Sequence, residues 1–229
     1  MTVSRSFYIG RKSVQPTTTL YSNLSDGIFD AVFSDRCRQF VDRHSWDLCV
    51  TPEGHEIDEY DGDDSEYLVV HDRGRHLTSC RLRRATTRTM LIDHFTEAFP
   101  GANTFLRRQP GALYELTRFL RAPDLSARES VRVLVEFATG LDRFRDERGA
   151  MGFVAVVYPG VSRFLRQNGV RFLMLDDSML GGRRVELICL TQAVAAEQLL
   201  IRQRAYARGE VEQRPTPRHS VASLPLMAA

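Results

Sequence analysis

The apolar positions change their rhythm several times along the chain, and each rhythm predicts an element. Between residues 25 and 44, Ile28, Val32, Phe33, Cys37, Phe40 and Val41 recur at helical spacing behind Ser25 or Asp26 as a cap. Residues 47–65 lose any period and read as an acidic loop. Two strand-like runs, Tyr67–His71 and His76–Arg83, flank the turn Asp72-Arg73-Gly74-Arg75. Met90–Phe99 predicts a short helix ended by Pro100-Gly101, 100–112 a loop, and Tyr114–Arg121 a strand. Ser126-Ala127-Arg128-Glu129 is a capping-box pattern. Behind it Val131, Leu134, Val135, Ala138 and Leu141 keep one apolar helix face. Gly152–Tyr158 predicts a strand broken at Pro159-Gly160, and Val161–Asn168 a helix closed by Gly169. Val170–Leu175 and Arg184–Leu190 read as strands, and Thr191–Tyr206 as a last helix.

Helices alternating with strands in the second half, after a hairpin in the first, predict an α/β sandwich around a mixed sheet. The 229 residues suit one domain. Its expected bounds are 23–206. A loose polar leader is expected over 1–22, and a flexible tail carrying Pro215, Pro217 and Pro225 over 207–229.

Composition narrows the class. Hydrophobic residues make up 43% and charged residues 26%, which fits a globular protein. The apolar runs are too short to cross a bilayer. The N-terminus has no apolar signal region. Cys37, Cys49, Cys80 and Cys189 lie apart, with no C-x-x-C pair and no metal spacing. A cytoplasmic protein with reduced thiols and no metal follows. The net charge is only +2, but eight carboxylates crowd Glu53–Glu66 without a Lys or Arg. Arg107, Arg108, Arg143, Arg145, Arg148, Arg163, Arg166 and Arg171 recur later. Such an acidic pocket beside a basic surface would suit a cationic small substrate and an acidic protein partner. Each of these charges, taken singly, also reads as part of a solvated face.

Four segments carry candidate chemistry. Arg36 and Phe40 share a helix face four residues apart, and Trp46, the single tryptophan, follows. Ring faces attract cations, so the aromatic pair could wrap an adenine or a sulfonium, or could be core. Asp58 and Asp61 stand in the acidic loop, which does not match an EF-hand. Arg81 sits mid-strand between apolar neighbours and would be served by Asp58 or Asp61; otherwise it faces outward. Glu115, in Tyr114-Glu115-Leu116-Thr117-Arg118-Phe119, is costly to bury ionised. It could be a general base with a raised pKa, or an ion-pair partner of Arg118 or another arginine. Strict alternation puts Arg118 on the other face from Glu115 and Thr117, which a β-bulge would rearrange.

In order and spacing, these segments resemble the acyl-homoserine-lactone synthase (autoinducer synthase) family over residues 25–200. The family pattern R-x3-F-x5-W, D-x2-D, a strand Arg and E-x-[ST]-R-F is filled by Arg36, Phe40 and Trp46; Asp58 and Asp61; Arg81; and Glu115, Thr117, Arg118 and Phe119. The resemblance implies an N-acyltransferase-like three-layer α/β sandwich with a central mixed, splayed sheet. It implies synthesis of N-acyl-L-homoserine lactone from S-adenosylmethionine and an acyl-acyl carrier protein or acyl-CoA. Amide formation and then lactonisation would release methylthioadenosine, with no metal or cofactor. Glu115 would be the general base. Arg36, Phe40 and Trp46 would shape the S-adenosylmethionine pocket, and Asp58, Asp61, Arg81 and Arg118 would form the ion-pair network around it. Val157 falls near a slot where makers of 3-oxo signals often carry Thr, and valine implies an unsubstituted chain. Arg163 and Arg166, past the strand break at Pro159, would dock the carrier protein.

The sequence departs from the family pattern in having Tyr114 where Trp is common, and Arg84-Ala85-Thr86 where Pro-Thr is usual. Two rivals remain. An acetyl-CoA-dependent acetyltransferase would show a glycine-rich loop before a helix, and Ala122–Arg128 stands there instead. A nucleic-acid-binding module would need dense basic spacing, and the acidic loop would repel phosphates.

Overall fold

The computed structural model describes residues 15–85, 88–109 and 112–191. A seven-stranded sheet runs through them in the order β1-β2-β3-β4-β5-β7-β6. The strands are β1 (Gln15–Leu20), β2 (Glu66–Asp72), β3 (Arg75–Arg84), β4 (Ala112–Arg121), β5 (Ala150–Val157), β6 (Leu173–Leu180) and β7 (Arg183–Leu190). The helices are α1 (Asp26–Arg36), α2 (Met90–Asp93), α3 (Ala102–Arg108), α4 (Ala127–Arg148) and α5 (Pro159–Gln167). Only β4 and β5 run parallel, joined by the long crossover through α4; the other neighbours are antiparallel. The sheet is mixed.

Strand alternation sends the two faces into separate cores. Leu68, Val70, Cys80, Leu116, Phe153 and Val157 pack under α4 and α5 with Phe144 and Val161. Tyr67 and Val69 face Val32 and Phe33 of α1. Val154, Val156 and Leu187 face Met90, Leu91 and Leu106 of α2 and α3. This is the expected three-layer sandwich. Helix α4 begins as its capping box predicts: Ser126 accepts from the Glu129 backbone, and the Glu129 carboxylate accepts from the Ser126 N–H. It ends on Gly149 in the left-handed conformation.

The sheet opens in its middle. Pairing between β4 and β5 runs only from Ala112↔Ala150 to Glu115↔Val154. Beyond it, among the described residues, β4 bonds only to β3, and β5 only to β7. The two parallel strands part as the prongs of a fork, and Glu115 stands at its apex.

Several expectations need correcting. Residues 15–20, taken as part of a loose leader, form β1, paired in register with β2 from Gln15↔His71 to Leu20↔Glu66. The Thr17-Thr18-Thr19 run has the β-branching of a strand, and its polarity suits an edge, where Pro16 is also tolerated. The loop expected over 100–112 contains α3, which buries Ala102 and Leu106 one turn apart. The helix expected over Met90–Phe99 stops at Asp93. The first helix leaves α geometry after Arg36 and continues as a π-helix over Cys37–Arg43. The strand expected over Val170–Leu175 is β6, shifted towards the chain end and paired with β7 as a hairpin. The last expected helix, the tail and residues 1–14 lie outside the described residues.

Candidate active site

The site is built on the α1–α2 face around the fork. The π-helical continuation of α1 carries Phe40, and the chain turns back at Ser45, whose φ is +53°. The Trp46 N–H then donates to the Phe40 carbonyl at 3.0 Å. The turn lays the two rings face to face, 5.1 Å apart and 3° from parallel. Phe40 is fully buried and Trp46 half-buried. π-Helical turns frequently mark functional sites, and here one sets an aromatic plate.

Beneath the plate lie three buried arginines and three carboxylates. Arg36 donates through Nε to Glu56 at 2.5 Å and through both terminal nitrogens to Asp61 at 2.9 Å. Arg81 holds Asp58 and reaches Asp61 at 2.7 Å. Arg118 donates to Glu56 at 2.8 Å and lies 2.7 Å from Asp58. The Tyr67 hydroxyl donates to Asp61, and Arg81 Nε to Thr117 at 3.2 Å. Burial alone would push Asp61 up, but Arg36 and Arg81 outweigh it and hold the carboxyl far below its ordinary range. Burial opposes the charge on Arg36, which Asp61 and Glu56 nonetheless raise. For Arg118 burial wins, and its pKa falls. The charges balance one for one, which buried ions require.

Arg118 reaches this network through a bulge. Between Ser79↔Leu120 and Arg81↔Thr117, β4 advances three residues while β3 advances two, and Arg118 takes φ +51°. The extra residue turns Arg118 to the same face as Thr117 and Glu115. Glu115 does not pair with Arg118. Its carboxylate accepts from the backbone N–H of Leu91 at 2.6 Å and of Met90 at 3.2 Å, on the first turn of α2. Burial pushes Glu115 up to about 7 despite those donors and the nearby Arg81 and Arg83.

The structure therefore brings together Arg36, Phe40, Trp46, Asp58, Asp61, Arg81, Glu115, Thr117 and Arg118. It separates Phe119, whose ring lies 4.9 Å from Phe137 under α4, and Val157, buried in the α5-side core. Arg163 and Arg166 are exposed on α5. A cavity of about 620 Å³ beside Arg166, Val170, Arg171 and Phe172 shares no residue with the Glu115 constellation. The acidic stretch is not a free acidic pocket. Glu56, Asp58 and Asp61 turn inward and are neutralised, and Glu66 pairs with Arg148. Glu53, Glu59, Asp63 and Asp64 face solvent. The sequence reading missed Glu56, which bridges Arg36 and Arg118 and lay unremarked in that same stretch. It also missed Met90, whose sulfur receives Arg81 at 3.1 Å and Arg118 at 3.7 Å.

Known proteins resemble this chain in sequence and in fold. An acyl-homoserine-lactone synthase of Acinetobacter nosocomialis is 29% identical over 157 residues, covering 66% of this chain and 84% of its own. Among solved structures, the CoA-dependent acyl-homoserine lactone synthase BjaI, with SAM and isopentyl-CoA, matches with a TM-score of 0.69 at 18% identity. The match covers 83% of this chain and 89% of BjaI. The AHL synthase LasI matches with a TM-score of 0.64 at 20% identity, covering 82% of this chain and 95% of LasI. The fold is N-acyltransferase-like. The family model for autoinducer synthases matches residues 20–198, and with the Glu115 constellation inside that span the chain is an acyltransferase belonging to the autoinducer synthase family.

Proposed function

We propose that the protein makes N-acyl-L-homoserine lactone from S-adenosylmethionine and an acyl thioester borne by acyl carrier protein or coenzyme A. The observation that carries the reading is Glu115: a buried carboxylate at the apex of the fork, held by main-chain donors and titrating near 7. Ionised, it takes a proton from the substrate ammonium, directly or through a water, and the freed amine attacks the thioester carbonyl. The carbonyl carbon forms the amide bond, and the thiol leaves. The methionine carboxylate then attacks its own γ-carbon, the C–S bond breaks, and methylthioadenosine departs with its pair of electrons. Sulfonium chemistry supplies that leaving group.

In this reading the sheet separates the two substrates. The Phe40–Trp46 plate and the arginine–carboxylate network receive S-adenosylmethionine on the α1–α2 face. The thioester arm enters between the prongs from the α4–α5 face, past the apolar wall at Val157, which suits an unsubstituted acyl chain. Arg163 and Arg166, exposed on α5 just beyond that wall, would meet an acidic carrier protein. Positioning of the amine against the carbonyl supplies most of the acceleration. The test is direct: purified protein is incubated with S-adenosylmethionine and either donor, and products are read by mass spectrometry. Acyl-homoserine lactone and methylthioadenosine in equal amounts are expected. A folded Glu115→Gln protein that turns over as wild type removes the assigned base.

A further inference from the structure

Glu186 lies in the middle of β7 and is 5% exposed. Its Oε2 is, among the described residues, the one buried side-chain oxygen without a hydrogen-bond partner. The buried carboxylates of the site, Glu56, Asp58, Asp61 and Glu115, are all held by arginines or by main-chain N–H groups. A buried carboxylate oxygen left unmet is costly, so the position calls for a hydrogen-bond donor that arrives with a ligand.

The neighbouring donors are committed elsewhere. Arg184, two residues back along β7, pairs with Asp177 at 3.2 Å. On α5, which packs against β7, the Ser162 hydroxyl donates to the Pro159 carbonyl at 3.1 Å. Arg166 lies over the Phe172 ring, 4.7 Å from its centroid.

Glu186 is paired in register with Val157, and alternation puts both side chains, with Ile188, on the α4–α5 face. That is the face from which the donor enters in the reading above. One strand, β5, separates Glu186 from the gap of the fork, about 5 Å. Amides of the donor's arm, lying in the gap, meet the main-chain edges that β4 and β5 no longer share. Beneath Val157 the main chain is taken up by pairing between β5 and β7. A polar group on an acyl chain there must be met by a side chain, and Ala155, Val157, Val161 and Ile188 are apolar. Glu186 is the exception. A carboxylate accepts hydrogen bonds and has none to give. It repels a keto oxygen and gains nothing from a methylene. It takes an O–H in a charge-assisted bond about twice as strong as a neutral one.

We propose that Glu186 selects a hydroxylated acyl chain, whose O–H donates to Oε2. The proposal rests on the thioester donor named above and narrows its acyl class. Val157 alone suits an unsubstituted chain; Glu186 beside it supplies an acceptor that such a chain would leave unmet.

The experiment offers thioesters of one chain length to wild type, Glu186→Leu and Glu186→Gln. The chains are unsubstituted, 3-oxo, or hydroxylated at carbon 3 or further along, on coenzyme A and on acyl carrier protein. In wild type the best hydroxylated donor should exceed the unsubstituted one about tenfold in kcat/KM. Glu186→Leu should reverse that order, losing rate on the hydroxylated donor and gaining it on the unsubstituted one. Glu186→Gln keeps an acceptor oxygen and should retain part of the preference. The Tm of Glu186→Leu should equal or exceed that of wild type, because an apolar side chain replaces an unmatched buried carboxyl. No preference for a hydroxyl in wild type, an undiminished preference in Glu186→Leu, or equal losses on all donors with a lowered Tm overturns the assignment. If Glu186→Leu does not fold, Glu186→Gln decides, and an undiminished preference there overturns it. Absence of lactone from wild type with every donor removes the proposed function and this inference with it, whereas lactone formed without regard to a hydroxyl removes the inference alone.

Discussion

The carboxylate of Glu115 accepts the backbone N–H of Leu91 at 2.6 Å. The base is thus oriented by main chain, which cannot titrate away or swing aside, while burial sets its pKa near 7. Activity should therefore rise through an acidic limb near pH 7, because only the ionised form can accept the ammonium proton. Glu115→Gln should lower kcat by a factor on the order of 10² to 10⁴.

Stability should follow the opposite sense. The folded pKa of Glu115 lies above its ordinary value of 4.5, so the folded state holds the proton more tightly than the unfolded chain. The group's contribution is fully present below pH 4.5 and is lost as pH rises through about 7. Glu115→Gln should lack this component, so the Tm of wild type should drop relative to the variant between pH 5 and pH 8. Parallel Tm curves across that range would contradict the burial of an ionising carboxyl.

Glu56 bridges two arginines that come from different elements, Arg36 at the end of α1 and Arg118 on the β4 bulge. Glu56→Gln leaves Arg118 with Asp58 alone and weakens the hold on Arg36. Removing one partner from a buried ion pair costs about 3–5 kcal/mol. Urea unfolding should show a loss of that size, and S-adenosylmethionine should bind more weakly in the same variant. A loss under 1 kcal/mol would mean that Glu56 carries little of the network.

What was legible in the sequence follows from locality. The α4 start could be read because Ser126 and Glu129 satisfy each other within one turn. The Asp72–Arg75 hairpin could be read because Arg73 and Gly74 adopt positive φ locally. The site residues were legible as spaced motifs, and Asp58 and Asp61 do hold Arg81. Phe119 belongs to the same motif but packs under α4, because the motif runs across the bulge and the strand then resumes alternation. β1 was illegible because an edge strand has no buried apolar face to leave a period of two. Glu56 was illegible because partners supplied by distant elements leave no local trace.

Gly152 tests the stem of the fork, where it pairs with Leu113. A Cβ built there would sit 2.1 Å from the Leu190 carbonyl oxygen, which is backbone and cannot rotate away. Gly152→Ala must therefore part β5 from β7 at the end of their pairing, next to Phe153↔Leu190, where β5 is still paired with β4. Overpacking of this kind costs about 1–3 kcal/mol or more, and the Tm should fall accordingly. Gly140→Ala offers a graded comparison on α4. There the clash is with the Leu68 side chain at 2.6 Å and Pro16 at 2.8 Å, and a leucine can change rotamer. The loss at Gly152 should exceed that at Gly140, as thermal unfolding of the two variants will show.

Trp46 gives the site its own reporter. It is the chain's single tryptophan, and it stacks 5.1 Å from Phe40, whose other neighbour is the Arg118 guanidinium 5.7 Å from the ring centroid. A sulfonium or adenine ring bound at this plate must change the surroundings of the indole, which is only half-buried. Titration with S-adenosylmethionine should shift Trp46 emission saturably, and methylthioadenosine, which keeps the adenine but lacks the sulfonium charge, should give a smaller or weaker response. Phe40→Leu removes the stack while keeping an apolar side chain, so it should weaken S-adenosylmethionine binding about tenfold, in line with loss of a cation–π and stacking contact. Thermal stability should fall only by the cost of a large-to-small core change. An emission spectrum indifferent to saturating S-adenosylmethionine, in a protein that still turns it over, would move the substrate away from the Phe40–Trp46 plate and leave those rings a purely packing role.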